Sequence, residues 1–291
     1  MDTATNHLLV PVDFSDKAVF GLQMASKMLN LLGGKVTVIN VLKGVDPIYS
    51  DFFEDEEREL LLKKLRLHLR RFCEKYIDTS RFELNCVIEK GKRCETILSK
   101  ADEINASFIV MGTSTIDNIK KWIIGTNALR VVTEANCPVI TLKEAPTEDK
   151  IERIILPMDI TKEGREKVVS AVHWAKALNA EIHVVSAYTL DDDSIFARLQ
   201  TQQKQVVNFI EERGVKCVSK LFKVDDRVDA ILDYIENNKG DLVVITTHEQ
   251  LEIVKFFMGS FAKSIMRGSK VPVISMVPKI KHHLVFKMPA T

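Results

Sequence analysis

LLVPVDFSDKA at 8–18 and IILPMDITKEG at 154–164 are one stretch written twice. Each is an apolar run leading to Pro, one residue, Asp, and a hydroxyl two positions on. These are Pro11, Asp13 and Ser15 in the first copy and Pro157, Asp159 and Thr161 in the second, at an offset of 146. A second pair of stretches also repeats. FIVMGTSTIDNIKKWIIGTNALRVVTEANCPVITL (108–142) aligns with LVVITTHEQLEIVKFFMGSFAKSIMRGSKVPVISM (242–276), matching Gly125 to Gly259, Thr126 to Ser260, Ala128 to Ala262 and Pro138 to Pro272 at an offset of 134. The offsets differ by 12, so the first half carries about a dozen extra residues, expected within GVDPIYSDFFEDEERE (44–59). Self-similarity of this kind organises the whole chain. With 291 residues and roughly 100–200 residues to a domain, the chain reads as two copies of one domain.

Within each copy, short apolar runs alternate with helical periodicity. VPV (10–12) ends the first strand of the first half. Ala18, Leu22, Ala25, Met28 and Leu29 then recur at helical spacing, and Gly33-Gly34 closes that helix. VTVINV (36–41) is the second strand. Leu61, Leu65 and Leu69 mark one face of a long charged helix. CVIE is the third strand, a helix follows around Thr96–Ile104, FIVM (108–111) is the fourth strand, a helix starts near Gly125, and PVITL (138–142) is the fifth strand. Fully apolar strands alternating with helices predict parallel βαβ units with helices on both faces. KEAPTEDKIE (143–152) is polar, contains Pro and reads as the linker. The expected division is a first domain over 1–145, a second over 150–280 and a basic tail over 281–291.

At these residues the chain resembles the universal stress protein family, in its tandem, two-domain form. VPVDFS near the start carries the resemblance, with Gly112-x2-Thr115-x9-Gly125-Thr126 near the end of the first half. The ATP-binding branch of that family carries Gly-x2-Gly-x9-Gly-Ser/Thr. The spacing holds here, with Thr115 where the family has its second glycine. The second half reads Thr246-x2-Glu249-x9-Gly259-Ser260, keeping only the final pair. The resemblance implies two tandem Rossmann-like domains of the adenine nucleotide alpha hydrolase-like type. Each would be a five-stranded parallel sheet with helices on both faces, and the halves would pair through their last strands as an intra-chain pseudo-dimer able to dimerise further. It implies a stress-response protein whose first domain binds ATP or AMP, with Mg²⁺, without catalytic residues of its own. The lining residues would be Pro11, Val12, Asp13, Ser15, Asn40, Val41, Met111, Gly112, Thr113, Thr115, Gly125, Thr126 and Asn127, with adenine near Asn40 and Val41. The second domain's degenerate pocket would use Asp159, Thr246, Gly259 and Ser260.

The chemistry of those positions carries both functional and plain readings. Parallel doubly wound sheets bind ligands outside the carboxyl ends of their strands, where the strand order reverses. Asp13 follows the first strand and Gly112 the fourth. A carboxylate at Asp13 can accept hydrogen bonds from ribose hydroxyls, and a glycine at 112 removes a Cβ from a ligand's path. Gly125-Thr126 opens a helix whose free N–H groups and dipole favour a phosphate. Equally, a helix-start hydroxyl is an ordinary N-cap, Asp13 can cap the following helix, and Thr115 can close the phosphate loop. In the second half Glu249 would repel a phosphate.

Several classes are excluded. The net charge of +1 leaves no basic excess for nucleic acid. Five cysteines without a CxxC pair read as reduced thiols in a cytoplasmic protein. Neither a signal peptide nor an apolar run of about 18 residues occurs, so no membrane partner is expected. GGKV (33–36) lacks the ending of a P-loop, and neither GxGxxG after the first strand nor GxSxG occurs. His248-Glu249 and His282-His283 stand as side possibilities, an acid–base pair and a metal ligand pair, each more simply a surface feature. The competing function is a nucleotide-free scaffold that works through protein partners or another small ligand.

Overall fold

The computed structural model describes residues 6–43, 55–113, 125–158, 164–189, 193–247 and 258–277. In the first half β1 (His7–Pro11), α1 (Asp16–Leu32), β2 (Lys35–Leu42), α2 (Asp55–Cys73), β3 (Glu83–Lys90), α3 (Arg93–Glu103), β4 (Phe108–Gly112), α4 (Thr126–Glu134) and β5 (Val139–Leu142) follow in order. The second half repeats the series as β6 (Arg153–Met158), α5 (Gly164–Leu178), β7 (Glu181–Tyr188), α6 (Asp193–Glu211), β8 (Cys217–Lys223), α7 (Arg227–Asn237), β9 (Leu242–Thr246), α8 (Ser260–Gly268) and β10 (Val273–Met276).

The ten strands among the described residues form one sheet in the order β3-β2-β1-β4-β5-β10-β9-β6-β7-β8. Pairing is parallel within each half and antiparallel where β5 meets β10, with Ile140 opposite Ile274. The helices cover both faces. Alternate residues of one strand face different layers: Leu8 and Val10 join α1, α2, α5 and α6, whereas Leu9 joins α3, α4, α7 and α8. This is why the strands read as unbroken apolar runs rather than alternating ones. The first layer is continuous across the halves, where the Phe108 and Trp174 rings lie 5.4 Å apart. Lys143, at the start of the expected linker, donates from Nζ to the Arg267 carbonyl near the end of α8.

Two sequence expectations are revised. The offset between the halves is 146 at β2 and β7, 138 where α2 and α6 begin, and 134 at β3 and β8. Eight extra residues therefore precede α2, and four lie between α2 and β3 instead of all falling in 44–59. The leucines of α2 also differ in fate: Leu69 is fully buried while Leu61 is 59% exposed. Only the last turns of α2 lie against the sheet, so its helical spacing continues beyond the surface that it covers. Among the described residues, no helix is long and apolar enough to cross a membrane.

Candidate functional site

The order of strands reverses between β1 and β4 in the first half and between β6 and β9 in the second. β1 and β4 pair only at Leu8–Phe108 and Leu9–Ile109, although β1 runs on to Pro11 and β4 to Gly112. Their carboxyl ends diverge, and the crevice predicted at a switch point opens there. It holds a cavity of about 340 Å³, within the usual range of small-molecule sites.

Beyond β1, the Val12 N–H donates to the Ile39 carbonyl at 2.9 Å. The chain then turns at Phe14, whose φ of 64° lies in the left-handed region. A bulky residue there costs about 1–3 kcal/mol. Packing offsets it: the Phe14 ring lies 5.2 Å from His68 and 5.3 Å from Phe72, both on α2. The turn leaves Asp13 exposed at the cavity wall. Asp13 Oδ1 accepts the Ser15 N–H at 3.2 Å and the Ser15 hydroxyl at 2.6 Å, and Ser15 Oγ accepts the Ala18 N–H as the N-cap of α1. Asp13 thus orients the cap and does not itself cap the helix.

Asn40 is buried, and its amide nitrogen donates to the Val12 carbonyl at 2.7 Å. Its first task is to tie β2 to the chain leaving β1. Thr113 is also inward: its N–H and hydroxyl both donate to the Leu142 carbonyl, at 2.8 and 3.3 Å. Gly112 has a packing role beside the ligand-spacing one expected of it. A Cβ there would lie 1.9 Å from the Lys17 carbonyl oxygen, so its bare backbone seats the first turn of α1. Gly125 is the N-cap of α4 at φ −57°, a conformation open to any residue, and no side chain caps that terminus. Asn127 Oδ1 accepts from the Cys94 thiol at 3.2 Å.

Pro11, Val12, Asp13, Ser15, Asn40, Val41, Met111, Gly112, Thr113, Gly125, Thr126 and Asn127 all line this one cavity. Thr115 lies outside the described residues. The cavity also takes Lys17, Ala18, Ile39, Arg93, Ile97 and Ala128, which the sequence reading did not assign. Arg93 opens α3, just past the carboxyl end of β3. The rule that placed Asp13 and Gly112 beside the site would have flagged it too. Ile39, Val41, Ile97 and Met111 make an apolar wall. Lys17, Arg93 and the N-terminal amides of α4 bring positive charge against the single carboxylate of Asp13.

The second half differs at the matching positions. Asp159, the His248-Glu249 pair and His282-His283 lie outside the described residues. Thr246 occupies the end of β9 where Gly112 ends β4. Gly259 is again an N-cap at φ −55° without a side-chain cap, and Ser260 follows it, exposed. Phe261 replaces Asn127, and the Arg227 guanidinium sits over its ring at 5.1 Å. Lys167 stands at the position of Gly21. It is 6% exposed, and its Nζ donates to the Pro157 carbonyl at 2.6 Å.

Comparison with known proteins agrees with this repeat. The model of the universal stress protein family matches residues 5–143 and again 150–276. A universal stress protein of Thermus aquaticus is 27% identical over 137 residues, covering 47% of this chain and 97% of its own. One of Methanocaldococcus jannaschii is 22% identical over 141 residues, covering 44% and 82%. Among solved structures, a universal stress protein from Archaeoglobus fulgidus superposes with a TM-score of 0.75 at 19% identity, covering 94% of this chain and 99% of its own. Two adjacent matches to one family model, on two halves that share strand order, switch point and helix caps, place this chain in the universal stress protein family as a tandem of two such domains.

Proposed function

We propose that the first domain holds an adenine nucleotide, ATP or AMP, without transforming it. The observation that carries this reading is the convergence on one cavity of an apolar wall, a carboxylate and an uncapped helix N-terminus. Ile39, Val41 and Met111 offer surfaces for a flat purine. Asp13 can accept from ribose hydroxyls. The free amides at Gly125–Asn127 and the Arg93 guanidinium suit phosphates. Mg²⁺ would accompany a triphosphate, with Asp13 the carboxylate lining the cavity. The second domain is degenerate in this reading, with Thr246, Lys167 and Phe261 at positions that are Gly112, Gly21 and Asn127 in the first.

One observation favours the competing reading of a nucleotide-free scaffold. Much of the cavity's polar surface is already used within the protein: Asp13 by Ser15, Asn40 by Val12 and Thr113 by Leu142. Isothermal titration with ATP and Mg²⁺, run beside Asp13→Ala, separates the two. Saturable binding at one site per chain, weakened by the substitution, supports the nucleotide reading. Absence of heat, together with no competition by AMP in a displacement assay, removes it in favour of the scaffold.

A further inference from the structure

A cleft of about 700 Å³ lies in the second domain, at the amino ends of β6 and β7. Its walls are the last turn of α5, the turn into β7, the turn after α6 and the residues that open β6. Because β5 and β10 run antiparallel, the amino ends of the second half share a rim with the carboxyl ends of the first. In the strand order this cleft is five positions from the β1–β4 crevice, about 24 Å at the usual strand spacing. It is therefore a separate place.

Four cations line the cleft, Arg153, Lys176, Arg213 and Lys216, against two carboxylates, Glu152 and Glu181. Glu181 is engaged on both oxygens. Its Oε1 lies 3.3 Å from Arg153 Nε and 3.0 Å from His183 Nε2, and its Oε2 pairs with Lys216 Nζ. Asp241 nearby is taken up by the backbone N–H groups of Glu152 and Arg153, at 2.8 Å each. Lys176 and Arg213 have no carboxylate partner among the described residues. Both guanidinia are held in place. Arg213 lies 3.4 Å over the Phe209 ring, and its Nη1 donates to the Phe209 carbonyl at 3.0 Å. Arg153 is fixed by Glu181 and donates from Nη1 to the Lys239 carbonyl at 3.4 Å. A guanidinium carries five N–H donors, so each fork keeps several for a ligand. An oriented fork also loses little freedom when it binds an oxyanion.

The cluster belongs to this half and not to the fold in general. At the matching places of the first half stand His7 for Arg153, Asn30 for Lys176, Lys35 for Glu181 and Phe82 for Lys216. There Arg81 lies over the Phe82 ring at 5.0 Å and donates to Asn30 Oδ1 at 2.9 Å. Val215 replaces that arginine in the second half and is buried in the cleft wall. The side chains that tie α1 to the turn before β3 thus have no counterpart between α5 and the turn before β8.

We propose that this cleft binds an anion carrying two or more phosphate groups, with Arg153 and Arg213 supplying paired N–H donors and Lys176 and Lys216 acting as point charges. The positive charge is spread over several walls of a space much larger than one phosphate, which suits an anion whose charge is also spread. Among the described residues no aromatic side chain lines the cleft, so nothing there selects a nucleobase. The shared chemistry can come from a free phosphate chain or from a phosphorylated sugar. The proposal does not rest on the nucleotide reading of the first domain.

The test titrates the full chain with inorganic pyrophosphate and with fructose 1,6-bisphosphate at about 0.15 M salt, where diffuse surface attraction is screened. Saturable binding of at least one is expected, weakened about ten-fold in Arg213→Gln and in Lys176→Gln. Pyrophosphate alone would identify a free phosphate chain, and the bisphosphate alone a phosphorylated sugar. Hydrogen exchange on the wild-type protein should slow at 176–181 and 213–216 with the bound anion. Binding of neither anion would overturn the proposal. So would protection confined to 125–129 at the nucleotide cavity, or well-folded variants that bind as tightly as the wild type. The exchange measurement needs no substitution, so a misfolded variant cannot decide the result.

Discussion

The contact between the first helix and the switch-point strand is where the two domains part. In the first, α1 lies directly on β4, because Gly112 and Gly21 leave no side chain between them. A Cβ on Gly21 would come 3.3 Å from the Gly112 nitrogen, and one on Gly112 would overlap the Lys17 carbonyl. In the second, both glycines are replaced, by Lys167 and Thr246, and contact between α5 and β9 is sparser among the described residues. The Lys167 side chain spans this region and bonds to the Pro157 carbonyl. The same sheet therefore supports two kinds of switch point. At the first a helix is held at backbone contact; at the second a buried lysine side chain bonds to the strand that ends there.

Writing the second domain into the first is the severest way to break this comparison. Gly112→Thr forces a branched side chain into the Lys17 carbonyl and should cost about 3 kcal/mol in chemical denaturation. It should also abolish nucleotide binding, if that reading of the cavity holds. The reverse change, Thr246→Gly, meets no such overlap and should cost about 1 kcal/mol through chain entropy. Equal losses from the two would show that α1 does not depend on backbone contact. Lys167→Gly restores the first domain's residue but removes a buried hydrogen bond and adds a glycine to α5. We expect a loss of about 2 kcal/mol and no second nucleotide site. A second site in titration would mean that the Lys167 side chain alone had closed the second domain.

A smaller effect sharpens the electrostatic side. Arg93→Ala should weaken ATP by about five-fold and leave AMP nearly unchanged, since an exposed guanidinium acts mainly on added charge. Equal effects on both nucleotides would move Arg93 away from the outer phosphates.

The smallest expected effects separate the halves by pH at the amino ends of their strands. Hydrogen bonds from Lys216 and then His183 hold the Glu181 carboxyl down at about 2, against an ordinary 4.5. A lowered carboxylate pKa stabilises the fold above 4.5, and this is lost as pH falls toward about 2. Glu181→Gln should cost about 1 kcal/mol near neutrality, where Lys216 is largely exposed, with the difference vanishing in acid. The first half has His7, which burial and then Lys35 push below its ordinary 6.5. A depressed histidine destabilises the fold as pH drops below 6.5, so His7→Gln should flatten that part of the stability curve. Denaturation midpoints from pH 7 down to about 2 read both.

Most of the architecture was legible because the repeat imposed it. Two offsets fixed the domain count, and unbroken apolar runs fixed strands covered on both faces. The lengths of the insertions were harder to place, since the four residues between α2 and β3 carry no pattern of their own. At the cavity, Pro11 and Asp13 could be placed by a strand end, and Gly125 by the start of the helix that it opens. Gly112 lines the cavity, and its missing side chain also makes room for the Lys17 carbonyl: sequence shows that a side chain is missing, not which backbone fills its space. Arg93 escaped attention because a charged residue at a helix start looks like ordinary surface. Lys167 escaped because a lysine in a helix reads as solvated until its burial is seen.

The junction between the halves sets Ile140 opposite Ile274, residues that correspond in the repeat. The pseudo-twofold axis therefore passes between two copies of one position, as in a symmetric dimer. Here both partners lie on a single chain, so their association does not obey mass action and survives any dilution. A homodimer encoded once must keep its two sites identical. A fused pair is released from that constraint, and one half can lose a glycine or gain a lysine while its neighbour keeps the original chemistry.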